Sequence, residues 1–250
     1  MGSLINSVSA HPKRTLFGVV FTGFVILLVM TDSFRFLKTL FLIARVTPYE
    51  QVGTGSGSIQ FLGDSTGYGT GASNRKYTIA GRLGADYPGY SIKNHSVNGR
   101  TIGGLLADTA DFSGQYDLIV LQIGANDILQ ERDISAVVSD LQVLLSRLAP
   151  HTKEIVMLTS GNIGTTPVFS GDRAAQYDTL TRAYRSKVVA LAAKTPNFTY
   201  IDLFDEPEND PFVQNSGKYT AVDDLHPSND GYGLWYRKAQ STFARVLTKH

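Results

Sequence analysis

The chain contains no cysteine in 250 residues. That one absence excludes disulfide staples, thiolate zinc sites, iron–sulfur clusters and a cysteine nucleophile. Charge imbalance is nearly absent too, with 23 Lys and Arg against 22 Asp and Glu and a formal net charge of +1. Without a basic excess nothing points to nucleic acid, and without an acidic excess nothing points to a disordered tail. There is no Walker lysine and no His/carboxylate cluster with ligand spacing, so neither a metal nor another cofactor is expected. No internal repeat is present, and the only low-complexity stretch is Gly53-Thr54-Gly55-Ser56-Gly57.

One long hydrophobic run is present. Seventeen uncharged residues, Thr15 to Thr31, stand between Lys13-Arg14 and Asp32. At about 1.5 Å per residue they span roughly 25 Å as a helix, the short end of a membrane crossing. The flank Leu28-Val29-Met30-Thr31-Asp32 offers no small-x-small cleavage site, so an uncleaved signal anchor is expected rather than a signal peptide. The basic side before the run favours a cytoplasmic N-terminus, which would place the rest of the chain on the non-cytoplasmic side of the cell membrane. A second apolar piece, FRFLKTLFLIARV, carries Arg35, Lys38 and Arg45 and could lie at the membrane interface. Residues 1–56 are thus expected to be anchor plus flexible linker, and residues 57–250 one globular domain with a sizeable core.

Within that domain short apolar runs alternate with helical patterns. Strands are expected at Ser58–Leu62, Ser91–His95, Leu118–Gln122, Glu154–Thr159 and Phe198–Leu203, and helices at Asn74–Ala85, Thr101–Ala110, Ser135–Leu148, Arg173–Ala193 and Ser228–Thr248. Strict alternation implies right-handed crossovers and a parallel sheet with helices on both faces. Ligands of such sheets bind beyond the carboxyl ends of the strands. Reactive residues are therefore sought just after each strand.

Four segments answer. Gly63-Asp64-Ser65-Thr66 follows the first strand, and Ser96-Val97-Asn98-Gly99-Arg100-Thr101 the second. Gly124-Ala125-Asn126-Asp127 follows the third, and Asp223-Asp224-Leu225-His226-Pro227 precedes the last helix. Ser65 is a hydroxyl on a strand-to-helix turn. His226 can act as its base, and Asp223, three residues earlier, can orient the imidazole. The backbone N–H groups of Ser65 and Gly99 and the amide of Asn126 can converge on an oxyanion, and Gly99 lets substrate approach the backbone closely.

These segments resemble the blocks of the SGNH hydrolase superfamily, the GDSL-type esterases and lipases, over roughly Ile59 to the C-terminus. The resemblance implies Ser65 as nucleophile, Asp223 and His226 as acid and base, and Ser65, Gly99 and Asn126 as oxyanion donors. It implies a flavodoxin-like three-layer α/β/α sandwich with about five parallel strands, here preceded by an N-terminal membrane helix. The expected function is hydrolysis of lipid or acylated carbohydrate esters through an acyl-enzyme. Acyl transfer to another acceptor, or a non-catalytic binding module on the same fold, are the alternatives. Thr66 departs from the common leucine and bears on the subfamily.

Other features have blander readings. Gly67-Tyr68-Gly69-Thr70-Gly71-Ala72 matches a dinucleotide fingerprint, but the second strand ends without a carboxylate and the first glycine comes late, so a flexible rim beside Ser65 is expected. Asp64 is expected to cap, Asp127 to brace its loop and His95 to be structural, with Asp223 preferred over Asp224 on spacing. The loop Ser160–Gln176 is placed to bind substrate, with Val168 and Phe169 as possible pocket residues. Glu206–Pro211 is expected to be a solvated turn.

Overall fold

The five apolar runs form one parallel sheet of order β2-β1-β3-β4-β5. The computed structural model describes residues 32–247. In chain order the elements are α1 (Asp32–Arg45), β1 (Gly57–Gly63), α2 (Ser65–Tyr68), α3 (Ile79–Asp86), β2 (Tyr90–Asn94), α4 (Ile102–Asp108), β3 (Leu118–Gln122), α5 (Ala125–Leu129), α6 (Ile134–Leu148), β4 (Ile155–Leu158), α7 (Gly171–Ala192), β5 (Phe198–Ile201), α8 (Pro211–Gln214), α9 (Ser216–Tyr219) and α10 (Asn229–Val246).

Central strands covered on both faces need apolar side chains on both. β3, with the sequence LIVLQ, is buried at all five positions. Phe61, Val120 and Val156 share one register row and cluster with Ile79 and Leu83 of α3 and with Trp235 and Phe243 of α10. Leu62, Leu121 and Met157 form the next row, on the other face, with Leu105 of α4, Leu141 of α6 and Tyr184 of α7. The helices supply matching stripes. α7 buries Tyr177, Thr181, Tyr184 and Val188, and α10 buries Tyr232, Trp235, Tyr236, Ala239 and Phe243, both at helical spacing. From β1 the chain runs outward to β2 and then back past β1 to β3, so the strand order reverses between β1 and β3. A crevice opens beyond their carboxyl ends.

Several expectations need correction. The helix expected over Asn74–Ala85 is split into a 3₁₀ turn, Arg75–Tyr77, and α3. Thr78 is extended, with φ −69° and ψ 171°, and its hydroxyl accepts from the Gly81 N–H as an N-cap. A threonine able to cap breaks a helix that the apolar period would carry through it. The flexible linker expected at Gly53–Gly57 is instead held along β2. Gly53 N–H donates to Ser91 Oγ, Thr54 N–H to the Pro88 carbonyl and Gly55 N–H to the Gly89 carbonyl, just after a bridge between Gln51 and Ile92. Three successive backbone N–H groups of this stretch are thus paired by β2 and the turn before it.

The expected membrane helix, Thr15–Thr31, lies outside the described residues. Among those described, no helix is long and apolar enough to cross a membrane. The second apolar piece forms α1, which docks on the domain by Leu42, 5% exposed, and by Val46 just past its end, 4% exposed, while Leu37, Leu40 and Phe41 remain exposed.

Candidate active site

Ser65 opens α2 directly after β1. Asp64 is the N-cap of that helix, and its Oδ1 accepts from Thr66 N–H at 2.8 Å and Thr66 Oγ1 at 2.7 Å. Capping turns the chain sharply out of the sheet and presents Ser65 at the crevice. Asp64 is fully buried, and burial pushes its carboxyl up to about 6 against the two Thr66 hydrogen bonds and the nearby His226.

The Ser65 hydroxyl lies 2.9 Å from His226 Nε2, and His226 Nδ1 lies 2.6 Å from Asp223 Oδ2. The Asp223 carboxylate folds back on its own turn. Its Oδ1 accepts from the backbone N–H groups of Leu225 and His226 at 3.2 and 3.1 Å. Burial of Asp223 acts to raise its pKa, but the His226 contact and the two backbone donors outweigh it and hold the carboxyl down, at about 2. The acid is thus ionised and the imidazole is held with Nε2 toward Ser65. Asp224 does not share this role: it sits in the left-handed region at φ 62° and its carbonyl accepts from Val168 N–H.

Two tight packings hold the His226 turn in place. Ala221 N–H donates to the His226 carbonyl at 2.7 Å and Ser228 N–H to the Tyr219 carbonyl at 2.8 Å. Gly71 has φ +98°, and a Cβ there would come within 2.3 Å of the Pro227 carbonyl and 2.9 Å of His226 Cβ. The glycine-rich stretch after Ser65 is therefore a close-packed seat for the histidine turn, not the flexible rim expected from its composition. Thr70 in the same stretch donates to Asn98 Oδ1 at 2.6 Å, tying it to the turn after β2.

That turn carries Gly99, with φ +78° and open space where a Cβ would point. Asn126, in the first turn of α5, donates from Nδ2 to the Arg100 carbonyl at 3.2 Å. An amide has two N–H donors, so one remains for another acceptor. Ser65, Gly99, Asn126 and His226 all line one cleft, with a volume of about 270 Å³. Asp127 stays behind it, buried, accepting from Ile102 N–H at 2.9 Å and paired with Arg132 at 2.7 Å. It braces α5 against the start of α4. His95 is exposed at the end of β2, outside the cleft, with Nδ1 3.3 Å from Gln60 Nε2.

The structure thus brings Ser65, Asp223 and His226 into one hydrogen-bonded line, with Gly99 and Asn126 beside it. Such a line can take a proton from a serine hydroxyl and return it to a leaving group. Among the described residues, no group of three or more His, Asp or Glu side chains has the arrangement to hold a metal.

The far wall of the cleft was less legible. Its loop runs through Ile163, Thr165, Thr166 and Pro167, whereas Val168 does not line it and Phe169 packs on Tyr177, 4.6 Å between ring centres. Leu203, Phe212, Leu225 and Trp235 make the rest largely apolar. Glu206–Pro211 is not simply a solvated turn. Asp210 is 5% exposed, caps α8 through Phe212 N–H at 2.8 Å and lines the cleft. Thr39 and Ile43 of α1 also reach the cleft. Nothing in their spacing beyond a helical apolar stripe could have shown this.

Comparison with known proteins places this geometry in a class, the SGNH-type hydrolases. The model of the GDSL-like lipase/acylhydrolase family matches residues 61–234, and the chain belongs to that family. No curated protein matches the chain. Among solved structures it is similar to a lipolytic protein of the G-D-S-L family from Veillonella parvula, with TM-score 0.61 and 21% identity over 76% of this chain and 100% of that one. It is also similar to an acetylxylan esterase from Geobacillus stearothermophilus, with TM-score 0.56 and 20% identity over 79% and 97%. An α/β hydrolase from the Lake Arreo metagenome gives TM-score 0.54 and 16% identity over 78% and 98%. At these identities the likeness to solved structures establishes the fold.

Proposed function

We propose that this chain is a serine esterase acting on esters whose acyl group is larger than acetyl, through an acyl-enzyme on Ser65. The observation that carries the reading is the Asp223–His226–Ser65 line at the mouth of an apolar cleft. Ser65 Oγ attacks the ester carbonyl carbon while its proton passes to His226 Nε2. The oxyanion is met by the N–H groups of Ser65 and Gly99 and by the Asn126 amide. The carbon–oxygen bond to the leaving group breaks, and His226 returns the proton to the departing alkoxide. Water then attacks the acyl-enzyme, giving its proton to His226, and the acid leaves as Ser65 recovers a proton. Asp223 remains ionised throughout and stabilises the imidazolium.

An acetyl group needs no apolar cleft. Ile43, Leu129, Ile163, Leu203, Phe212 and Trp235 offer a surface that a longer acyl chain would bury. Polar lining is present as well, with Thr165, Thr166 and Thr220 among the cleft residues. A lipid-like ester fits both. A carbohydrate acyl ester fits if its acyl chain is long, and transfer to an acceptor other than water would use the same acyl-enzyme.

The reading extends to location. A seventeen-residue uncharged run ends one residue before α1, whose Leu37, Leu40 and Phe41 are exposed. We place the domain at a membrane surface on the non-cytoplasmic side, with this face of α1 toward lipid. Carbonate-resistant retention in membranes, with protease access from outside, is the expected behaviour. Release as a soluble protein would end that part of the proposal.

The activity is tested with p-nitrophenyl esters from acetate to dodecanoate, alongside acetylated xylan. Turnover should peak beyond acetate, and a fluorophosphonate should label Ser65. Activity confined to acetyl esters would overturn the acyl assignment, and labelling of a different serine would overturn the site.

A further inference from the structure

The Asp223 carboxylate accepts four hydrogen bonds, and three come from its own turn: Leu225 N–H, His226 N–H and His226 Nδ1. The fourth comes from Thr39 Oγ1 of α1, at 3.1 Å to Oδ2, the same oxygen that holds the imidazole. Thr39 is 184 residues away in sequence and precedes the segment that matches the family, residues 61–234. Among the described residues it is the donor to this carboxylate from another element.

Its position is held from two directions. Leu42 of α1 and Val46 just past its end are both buried, with Ile43 between them on the cleft wall. Past the helix the chain is fastened to the domain. Tyr49 donates to Gln51 Oε1 at 2.7 Å, Gln51 donates to the Tyr90 carbonyl at 2.7 Å, and Gly53 to Gly55 bond along the end of β2. The spacing 39, 42, 43 is one face of a helix. Docking the apolar members therefore carries the hydroxyl to Asp223.

We propose that α1 is a working part of the active site and that Thr39 is a positioning residue for the triad's acid. A carboxylate held only by its own turn and the imidazole can still tilt about the bond joining it to Cβ. A donor from a separately anchored helix fixes the plane in which Oδ2 meets His226 Nδ1. The effect should then appear in the chemical step rather than in substrate binding. This inference rests on the esterase reading for its kinetic part only.

The test uses the full chain in detergent micelles or nanodiscs, with Thr39→Val, which keeps the shape and loses the hydroxyl, and Thr39→Ser, which keeps the hydroxyl. Thr39→Val should lower kcat about 3- to 10-fold with KM within about 2-fold, as expected when one bond to a charged group is lost at a distance from the reacting atoms. Fluorophosphonate labelling of Ser65 should slow by the same factor, and Thr39→Ser should restore both. The far-downfield proton resonance of the His226 Nδ1–H···Asp223 bond should move in Thr39→Val and return in Thr39→Ser. Wild-type kcat and an unmoved resonance in Thr39→Val would overturn the proposal. So would a Thr39→Ser variant no better than Thr39→Val, since packing and not the hydroxyl would then be responsible. If the wild-type chain fails to label at Ser65, the esterase reading falls, and the resonance alone decides whether Thr39 holds Asp223.

Discussion

The two walls of the cleft are built in different ways. The reactive wall consists of short loops at the carboxyl ends of β1, β2 and β3 and of the turn before α10. Each places its residue within a few positions of the element that supports it. The opposite wall is assembled from α1, the loop after β4, the segment around α8 and the side of α10, pieces scattered from Ile43 to Trp235. In the proposed reaction the first wall carries the bond-making groups and should tolerate little change, because proton transfer depends on distances such as the 2.9 Å between Ser65 and His226. The second offers mostly apolar surface, where shape and area matter more than any one atom. On the proposed reading, chemistry is set mainly by local turns, with Thr39 reaching across from α1 to the acid, and substrate choice by long-range packing.

The sharpest way to break that division is at the nucleophile. Ser65→Ala and His226→Ala should each lower kcat by at least about 10³-fold, with loss of fluorophosphonate labelling and unchanged folding by circular dichroism. A variant of either residue that keeps wild-type turnover on a verified ester would show that the reactive wall lies elsewhere. Asn126→Ala should come next, costing about 10²–10³-fold in kcat if its amide meets the oxyanion. A change confined to KM would move Asn126 into the group of ordinary substrate contacts.

The support beneath the reactive wall has its own signature. Asp64 is buried with its carboxyl raised to about 6. The folded chain therefore holds that proton more tightly than the unfolded chain does. The associated stability is fully present below the unfolded value, about 3.9, and is lost as pH rises through 6. With a shift of roughly two units, its size is about 3 kcal/mol. Urea unfolding should show stability falling across that window, and Asp64→Asn, which keeps an oxygen for the Thr66 N–H, should flatten this part of the slope. An unchanged slope would mean that Asp64 is ionised in its buried site. Asp223 works in the opposite sense and at lower pH. Its carboxyl is held at about 2, so its contribution is present above the unfolded value and is lost as pH falls toward 2.

A smaller effect is expected at the far wall. Phe212→Ala, which removes a ring packed 5.7 Å from Trp235, should lower kcat/KM about 10-fold for the preferred long-chain ester and leave the acetate ester nearly unchanged. Equal losses on both esters would make Phe212 a support of the reactive wall and blur the contrast.

Much of the reactive wall could be read from the chain because its signals are short-range. An apolar run such as LIVLQ marks a buried strand, and Gly124-Ala125-Asn126-Asp127 directly after it marks the turn. Asp223 and His226 stand at a spacing that one turn closes. The errors fall where neighbours distant in sequence intervene. Glycine after Ser65 suggested mobility, yet Gly71 is glycine because the His226 turn packs against it. Gly53–Gly57 has the composition of a linker, yet the edge of β2 pairs its backbone. Asp210 looked solvated within an acidic turn, yet it caps α8 under the cleft. Phe169 is apolar and in the right loop, but it packs on Tyr177 of the next helix, against the core.

The amino-acid sequence by itself determined the alternation of strands and helices, the sheet edge where chemistry gathers, and the kinds of side chain present there. These follow from local periodicity, capping and turn chemistry, which act over a few residues. Only the tertiary structure decided which pieces close the cleft and which donor reaches the acid. Thr39 meets Asp223 across 184 residues because Leu42 on the inner face of α1 and Val46 just past its end are buried on the domain. Burial of apolar surface is non-directional, so the helical stripe could be read along the chain, while the surface that receives it exists only once the sheet and its loops are assembled.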